Sequence, residues 1–355
     1  MKHHRDEPQL ASLLSGCMQA REHGDQATAD RLISQAWPLA VAAGGLARAE
    51  TELVRGVLAQ DSDDGGLARM MFQAAAATAS QARSEPDSAE LQVRALINLG
   101  ALRRTTGDYS HAESALRQAL RVVDDVAGVS AEAVALVCNE LAVTFKYSGN
   151  FDEAANLYNR ALTLLENSPV RDDLEIATIL HNIGGLAHAR GDYITAEAPA
   201  RRAVQIREQV LGSDHLAVAA DRAALAPILL ELGHLDEADK ILRAALGTFE
   251  NTYGPVHYEV AVTVHNLAAI ARKRGNLPES EQLFRRSMTI KEALLGANHP
   301  DLAPTLANLA LLRRLQDDPA TARQLYERAE GILTGTVADT HPTLAAIQKA
   351  LRTLR

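Results

Sequence analysis

Histidine has the widest chemical reach of the residues in this chain, with twelve among 355 beside only two cysteines. Imidazole can ligate a metal or carry a proton near neutral pH. Two ligands on one helix share an ion only at i, i+3 or i+4, and no two histidines stand at that spacing. His181 and His188 are seven residues apart, about 10 Å along a helix axis, too far for ligand bonds of about 2 Å. The acidic clusters Asp61-Ser62-Asp63-Asp64 and Asp172-Asp173 lack calcium-loop spacing and read as solvated helix ends. Nucleotide and acyl-transfer signatures are missing as well: there is no Walker loop, no G-x-G-x-x-G and no G-x-S-x-G. Tyr147, His188 and Lys273 are competent acid–base groups. No nucleophile or oxyanion donor accompanies them, so no catalytic residue, cofactor or metal site is expected.

Bulk properties narrow the class. Thirty-six basic against 45 acidic residues leave a net charge of −9, which argues against a nucleic-acid partner held by phosphate contacts. No apolar run approaches the roughly 18 residues of a membrane span, so no membrane partner is expected either. Cys17 and Cys138 are too few and too distant for a disulfide framework and read as small buried hydrophobes. Leu14-Ser15-Gly16-Cys17 imitates a lipoprotein cleavage box, but Asp6, Glu7, Pro8 and Gln9 occupy the place of its apolar segment. Leu10, Leu13, Leu14, Cys17 and Met18 instead share one helical face, and a cytoplasmic chain is expected.

The elements that would position any site repeat. Gly107-Asp108-Tyr109 returns every 42 residues as Gly149-Asn150-Phe151, Gly191-Asp192-Tyr193, Gly233-His234-Leu235 and Gly275-Asn276-Leu277, then as Asp317-Asp318-Pro319. An apolar residue recurs upstream at Leu99, Leu141, Ile183, Leu225, Leu267 and Leu309, and a small one downstream at Ala112, Ala154, Ala196, Ala238, Ser280 and Ala322. A fixed period of this length denotes a stacked array of helix pairs. The glycine serves as a left-handed helix stop and the next residue as N-cap of a second helix, with Glu153, Glu237 and Glu279 placed to reach back to a free amide. Six units cover 87–333, opened by a capping box at Asp87-Ser88-Ala89-Glu90. Residues 1–86 read as a degenerate N-terminal cap with a frayed charged start (1–8) and breaks at Gly24-Asp25 and Gly65-Gly66; residues 334–355 read as a final solvating helix. Trp37, beside Pro38, reads as a packing anchor of the cap.

The segments Leu267-Ala268-Ala269, Gly275-Asn276-Leu277, Glu281 to Arg286 and Leu295-Gly296-Ala297-Asn298-His299-Pro300 resemble the tetratricopeptide repeat family, in the 42-residue variety known from kinesin light chain and many bacterial proteins. The resemblance implies an all-α fold, a right-handed α-solenoid of stacked helix-turn-helix units with terminal capping helices. It makes His215, His257, His299 and His341, which recur at one loop position, structural caps. It also implies that a peptide segment of a partner is held in a concave groove lined by the first helices.

Carried onto this register, the family's inward positions give four lines of residues: Ile97, Asn139, His181, Ala223, His265 and Ala307; then Asn98, Glu140, Asn182, Ala224, Asn266 and Asn308; then Arg104, Lys146, His188, Leu230, Arg272 and Arg314; then Thr105, Tyr147, Ala189, Glu231, Lys273 and Leu315. Cations concentrated on one line of an acidic chain predict capture of an acidic or carboxyl-terminal segment. The amides suit an extended backbone, which needs donor and acceptor together. The fourth unit breaks the pattern with Ala223, Ala224, Pro227 and Leu230, and Pro199 lies just before it; these predict a bend and an apolar floor. The leading expectation is therefore a non-enzymatic adaptor, scaffold or regulator. A receptor closing around a small molecule or signalling peptide, and an enzyme built on the repeat scaffold, stay open as alternatives.

Overall fold

The computed structural model describes residues 3–126 and 129–354, with the side chains of 3–7 outside that description. The expectation of a frayed start therefore lies outside the described residues at positions 1 and 2, as does Arg355 of the final helix. Helices follow one another as α1 (His3–Glu22), α2 (Gln26–Ala43), α3 (Gly45–Asp61), α4 (Gly65–Gln81), α5 (Ser88–Thr105), α6 (Tyr109–Asp125), α7 (Ala131–Ser148), α8 (Phe151–Glu166) and α9 (Asp173–Arg190). They continue as α10 (Tyr193–Leu211), α11 (Leu216–Leu232), α12 (Leu235–Tyr253), α13 (Tyr258–Lys273), α14 (Leu277–Leu295), α15 (Ala303–Leu315), α16 (Pro319–Leu333) and α17 (Pro342–Thr353). No strand occurs among the described residues. The fold is an α-solenoid of helix pairs. No helix is long and apolar enough to cross a membrane.

The 42-residue punctuation has a backbone cause. Gly107, Gly149, Gly191, Gly233 and Gly275 all sit at φ between 77° and 90°, and Asp317 takes the same left-handed turn at 59°. The adjoining cap works as expected at Asp192, Asn276 and Asp318, whose side chains accept the amide three residues on. Of the three glutamates placed to reach back, Glu279 meets the Asn276 side chain, accepting from its Nδ2 at 2.6 Å, and Glu237 is taken by Arg201. His215, His257, His299 and His341 each cap a helix or turn, with Nδ1 accepting the amide two residues on at 3.1–3.3 Å.

Two expectations at the N-terminal side are corrected. Asp87 adopts a left-handed conformation (φ 66°) and makes no side-chain cap bond, so there is no capping box; Ser88 turns its hydroxyl to the Ala79 carbonyl at 2.8 Å. The break near Gly65-Gly66 falls earlier, at left-handed Asp63, with Asp64 capping α4 through the Leu67 amide. A further break, at Gly44-Gly45, carried no periodic signal.

Contacts divide the chain into two compact units, residues 1–141 and 142–355. In the first, Leu10, Leu14, Cys17, Ala29, Ile33 and Leu58 form one cluster, so Cys17 is a fully buried helix residue. Arg55 lies 4.2 Å over the Trp37 ring, which gives that tryptophan a cation partner as well as a packing role. In the second, α9, α11, α13, α15 and α17 touch in series while α10, α12, α14 and α16 pack behind them. The core between those layers holds Leu225, Leu242, Phe249, Val264 and Phe284, each large side chain contributing about 1.5–3 kcal/mol.

Packing is close where α9 crosses α10. A Cβ at Gly184 would stand 3.0 Å from that of Ala200 and 3.2 Å from the Ala196 carbonyl oxygen. Gly184→Val is accordingly expected to cost about 1–3 kcal/mol, read as a lower urea midpoint with unchanged helicity. Both α10 and α11 run on through Pro199 and Pro227, each proline leaving one carbonyl without its helical donor. Pro304 belongs to the first turn of α15, where that donor is dispensable.

Successive second helices are also linked by ion pairs, Glu166 with Arg202, Glu250 with Arg286 and Glu292 with Arg328. The series skips one rung, because Ala244 stands at the arginine position and Glu208 turns to Arg222 instead.

Candidate functional site

Each first helix of the second unit keeps a single face uncovered. Along α13 the residues that retain exposure are Tyr258, Glu259, Val262, His265, Asn266, Arg272 and Lys273, while those between them are buried. That spacing is one helical stripe. On α9 the stripe holds Thr178, His181, Asn182, Gly185 and His188; on α15 it holds Pro304, Ala307, Asn308, Leu311 and Arg314. In α11 its polar members are replaced, and Ala223 and Leu230 are themselves buried.

Neighbouring helices consume most of the polar groups on these lines. In the first unit, Asn98 bonds back to the Arg94 carbonyl at 2.9 Å. Buried Asn139 donates to Glu140 at 3.3 Å, and Arg104 reaches the other oxygen of that carboxylate at 3.5 Å. In the second, His181 Nδ1 lies 2.8 Å from Asp221, a buried carboxylate that also accepts from Arg207 at 2.6 Å. His265 Nδ1 lies 3.0 Å from the Thr305 hydroxyl. Lys273 donates to Glu231 at 2.9 Å and to the Leu230 carbonyl at 3.1 Å. Asn308 bonds within its own helix, to the Pro304 carbonyl at 3.0 Å. Lys146 stands 5.2 Å from the Tyr147 ring, and Asn182 is likewise engaged.

Among the described residues on these lines of the second unit, three groups remain uncommitted. Arg314 is exposed and makes no ion pair; Arg272 makes none either, and its buried Nε has no hydrogen-bond partner. Asn266, six residues before Arg272 on α13, offers a half-buried side-chain amide without a partner among the described residues.

Electrostatics sharpen the picture. Burial pushes His188 down, opposed by Glu231 and reinforced by Lys146, so this imidazole adds little positive charge at neutral pH. Burial, then Lys291 and Arg272, push His265 down to about 3. Burial raises Glu259, with His257 and His181 pulling the other way, and raises Tyr258 well above the usual phenol range with help from Tyr147 and Asp301. The Tyr258 hydroxyl donates to Asp301 at 2.6 Å.

Sequence reasoning missed the buried charges. Asp221 and Lys291 are 5% and 6% exposed, and Lys291 donates only to the Asp301 carbonyl, at 3.1 Å. One signal was available: Arg207 follows His181 by the interval at which Lys291 follows His265, at a core position filled elsewhere by Leu165 and Phe249.

Repeated helix pairs with a continuous inner stripe define a repeat-type interaction scaffold. The sequence matches the MalT-like TPR region model over residues 49–263 and a tetratricopeptide repeat model over 259–334. The chain belongs to the tetratricopeptide repeat family. No curated protein matches it. Among solved structures it is similar to the apo form of RapI, with 13% identity, 81% of this chain and 98% of that one covered, and a TM-score of 0.65. The apo form of the quorum sensor NprR from B. thuringiensis gives 12%, 91%, 87% and 0.65. A Rap protein complexed with competence and sporulation factor gives 15%, 87%, 88% and 0.60. At these identities the likeness concerns the fold.

Proposed function

We propose that this chain is a non-enzymatic interaction module that holds an acidic or carboxyl-terminal peptide segment on the inner stripe of its second unit. One observation carries the reading: where neighbours neutralise Arg104 and Lys273, Arg272 and Arg314 keep unspent charge on successive first helices. A guanidinium presents a planar fork suited to a carboxylate, and Asn266 beside it can take one backbone amide and one carbonyl. Two of the similar folds are those of the quorum sensor NprR and of a Rap protein complexed with competence and sporulation factor, which supports a ligand-binding role for the same kind of scaffold here.

Affinity capture from the native cell, with wild type beside Arg272→Ala/Arg314→Ala, tests it. The double variant is expected to lose about tenfold or more in affinity, the worth of one charge-assisted contact, and to show a flatter salt dependence at unchanged helicity. Equal recovery of the same partner by both proteins would remove the two arginines from the site.

A further inference from the structure

The second unit closes on itself. The turn joining α7 to α8 meets the loop that leads into α17, beyond the last repeat. The Ala338 amide donates to the Ser148 carbonyl at 2.7 Å. The His341 ring covers Gly149 so tightly that a Cβ there would fall 3.0 Å from the imidazole and 3.4 Å from the His341 backbone. Phe151 supports the same ring from 6.1 Å, and Val337 beside it is buried. Between these two ends the first helices α9, α11, α13, α15 and α17 form an unbroken series with their uncovered stripes in common.

We propose that this closure selects the ligand by topology: the second unit admits a linear peptide with a free end and excludes an internal segment of a folded partner. The inference rests on the peptide-binding reading and adds the class of peptide. A chain that threads through a closed wall must lead with an end, and a leading carboxylate would meet the unpaired Arg272. A strand anchored in folded protein on both sides could be laid in only if the contact at Gly149 and His341 came apart.

The test measures access, so it does not depend on affinity. A cysteine replaces Asn266, and the buried Cys17 and Cys138 of the wild type supply the unreactive background. One reagent carries a maleimide at the tip of a flexible linear polyethylene glycol chain; the other carries it within a surface loop of a small folded carrier. The linear reagent is expected to label the closed protein readily, and the carrier-borne one about tenfold more slowly or worse. Gly149→Asn keeps a residue that tolerates the left-handed turn but collides with His341. It should restore labelling by the carrier, as should His341→Ala, with circular dichroism confirming intact helicity. Equal rates for the two reagents on the closed protein would overturn the proposal. So would a linear reagent that reacts as slowly as the carrier, or a carrier rate that neither variant changes. Equal recovery by the arginine double variant in the capture experiment would instead remove those arginines from the site and leave these rates as they are.

Discussion

Replacing Asp221 by alanine is expected to cost about 3–5 kcal/mol of stability. The carboxylate is 5% exposed and holds two donors from different helices, Arg207 of α10 at 2.6 Å and His181 of α9 at 2.8 Å. Arg207 is itself nearly enclosed, with 13% of its side chain exposed and one further bond, to the Thr178 hydroxyl at 3.1 Å. Removing the acid strands a buried guanidinium whose desolvation is then uncompensated, which costs far more than the net worth of the pair. Asp221→Leu combined with Arg207→Met should recover much of the loss, because apolar replacement of both partners removes the stranded charge. Urea unfolding of the single and double variants reads both effects. A single-variant loss under about 1 kcal/mol would show that water reaches Arg207 and that the pair behaves as an exposed one.

Acidification supplies the second large effect. Burial holds His188, His265 and His341 below the ordinary imidazole value, with His265 at about 3. In the unfolded chain each titrates near 6.5. Their contribution is therefore complete above pH ~6.5 and is lost as pH falls below it, since the unfolded state then binds protons that the folded state refuses. For His265, whose folded value is about 3, the slope is about 1.4 kcal/mol per pH unit, so this residue alone removes about 2 kcal/mol between pH 6.5 and pH 5. Glu259, raised by burial, works in the opposite sense only at the acidic end of the window. Denaturant unfolding at pH 7 and pH 5 should show the loss in wild type and a shallower one in His265→Asn. Parallel pH profiles for the two proteins would remove His265 as its source.

Much of this architecture was legible because glycine is irreplaceable at a left-handed helix stop. The interval from Gly107 to Gly275 gave every helix pair of the array, and the small residues Ala112 to Ala322 gave the crossings. Exposure along the first helices was legible too, since Asn266 and Arg272 on α13 and Arg314 on α15 all remain accessible. What the register could not supply is which side chain of the next helix comes back to meet a given position. Arg104, His181 and Lys273 looked alike as inward cations or near-cations. Each is answered by a residue 36 to 42 positions on or back, Glu140, Asp221 and Glu231, and only coordinates show that pairing. Asp87 and Asp63 escaped because aspartate tolerates positive φ without announcing it. The contact of Ser148 with Ala338 escaped for a deeper reason: it depends on how curvature accumulates over successive repeats, and no local pattern encodes that.

The missing rung at Ala244 has a mechanical consequence. Elsewhere a tensile load applied across the second helices is shared by paired charges, Glu166 with Arg202 on one side and Glu250 with Arg286 on the other. Between α10 and α12 the load would instead pass through Arg201 and Glu237, which pair at 3.1 Å near the start of α12, so force crosses this junction at a different height on the helices than at its neighbours.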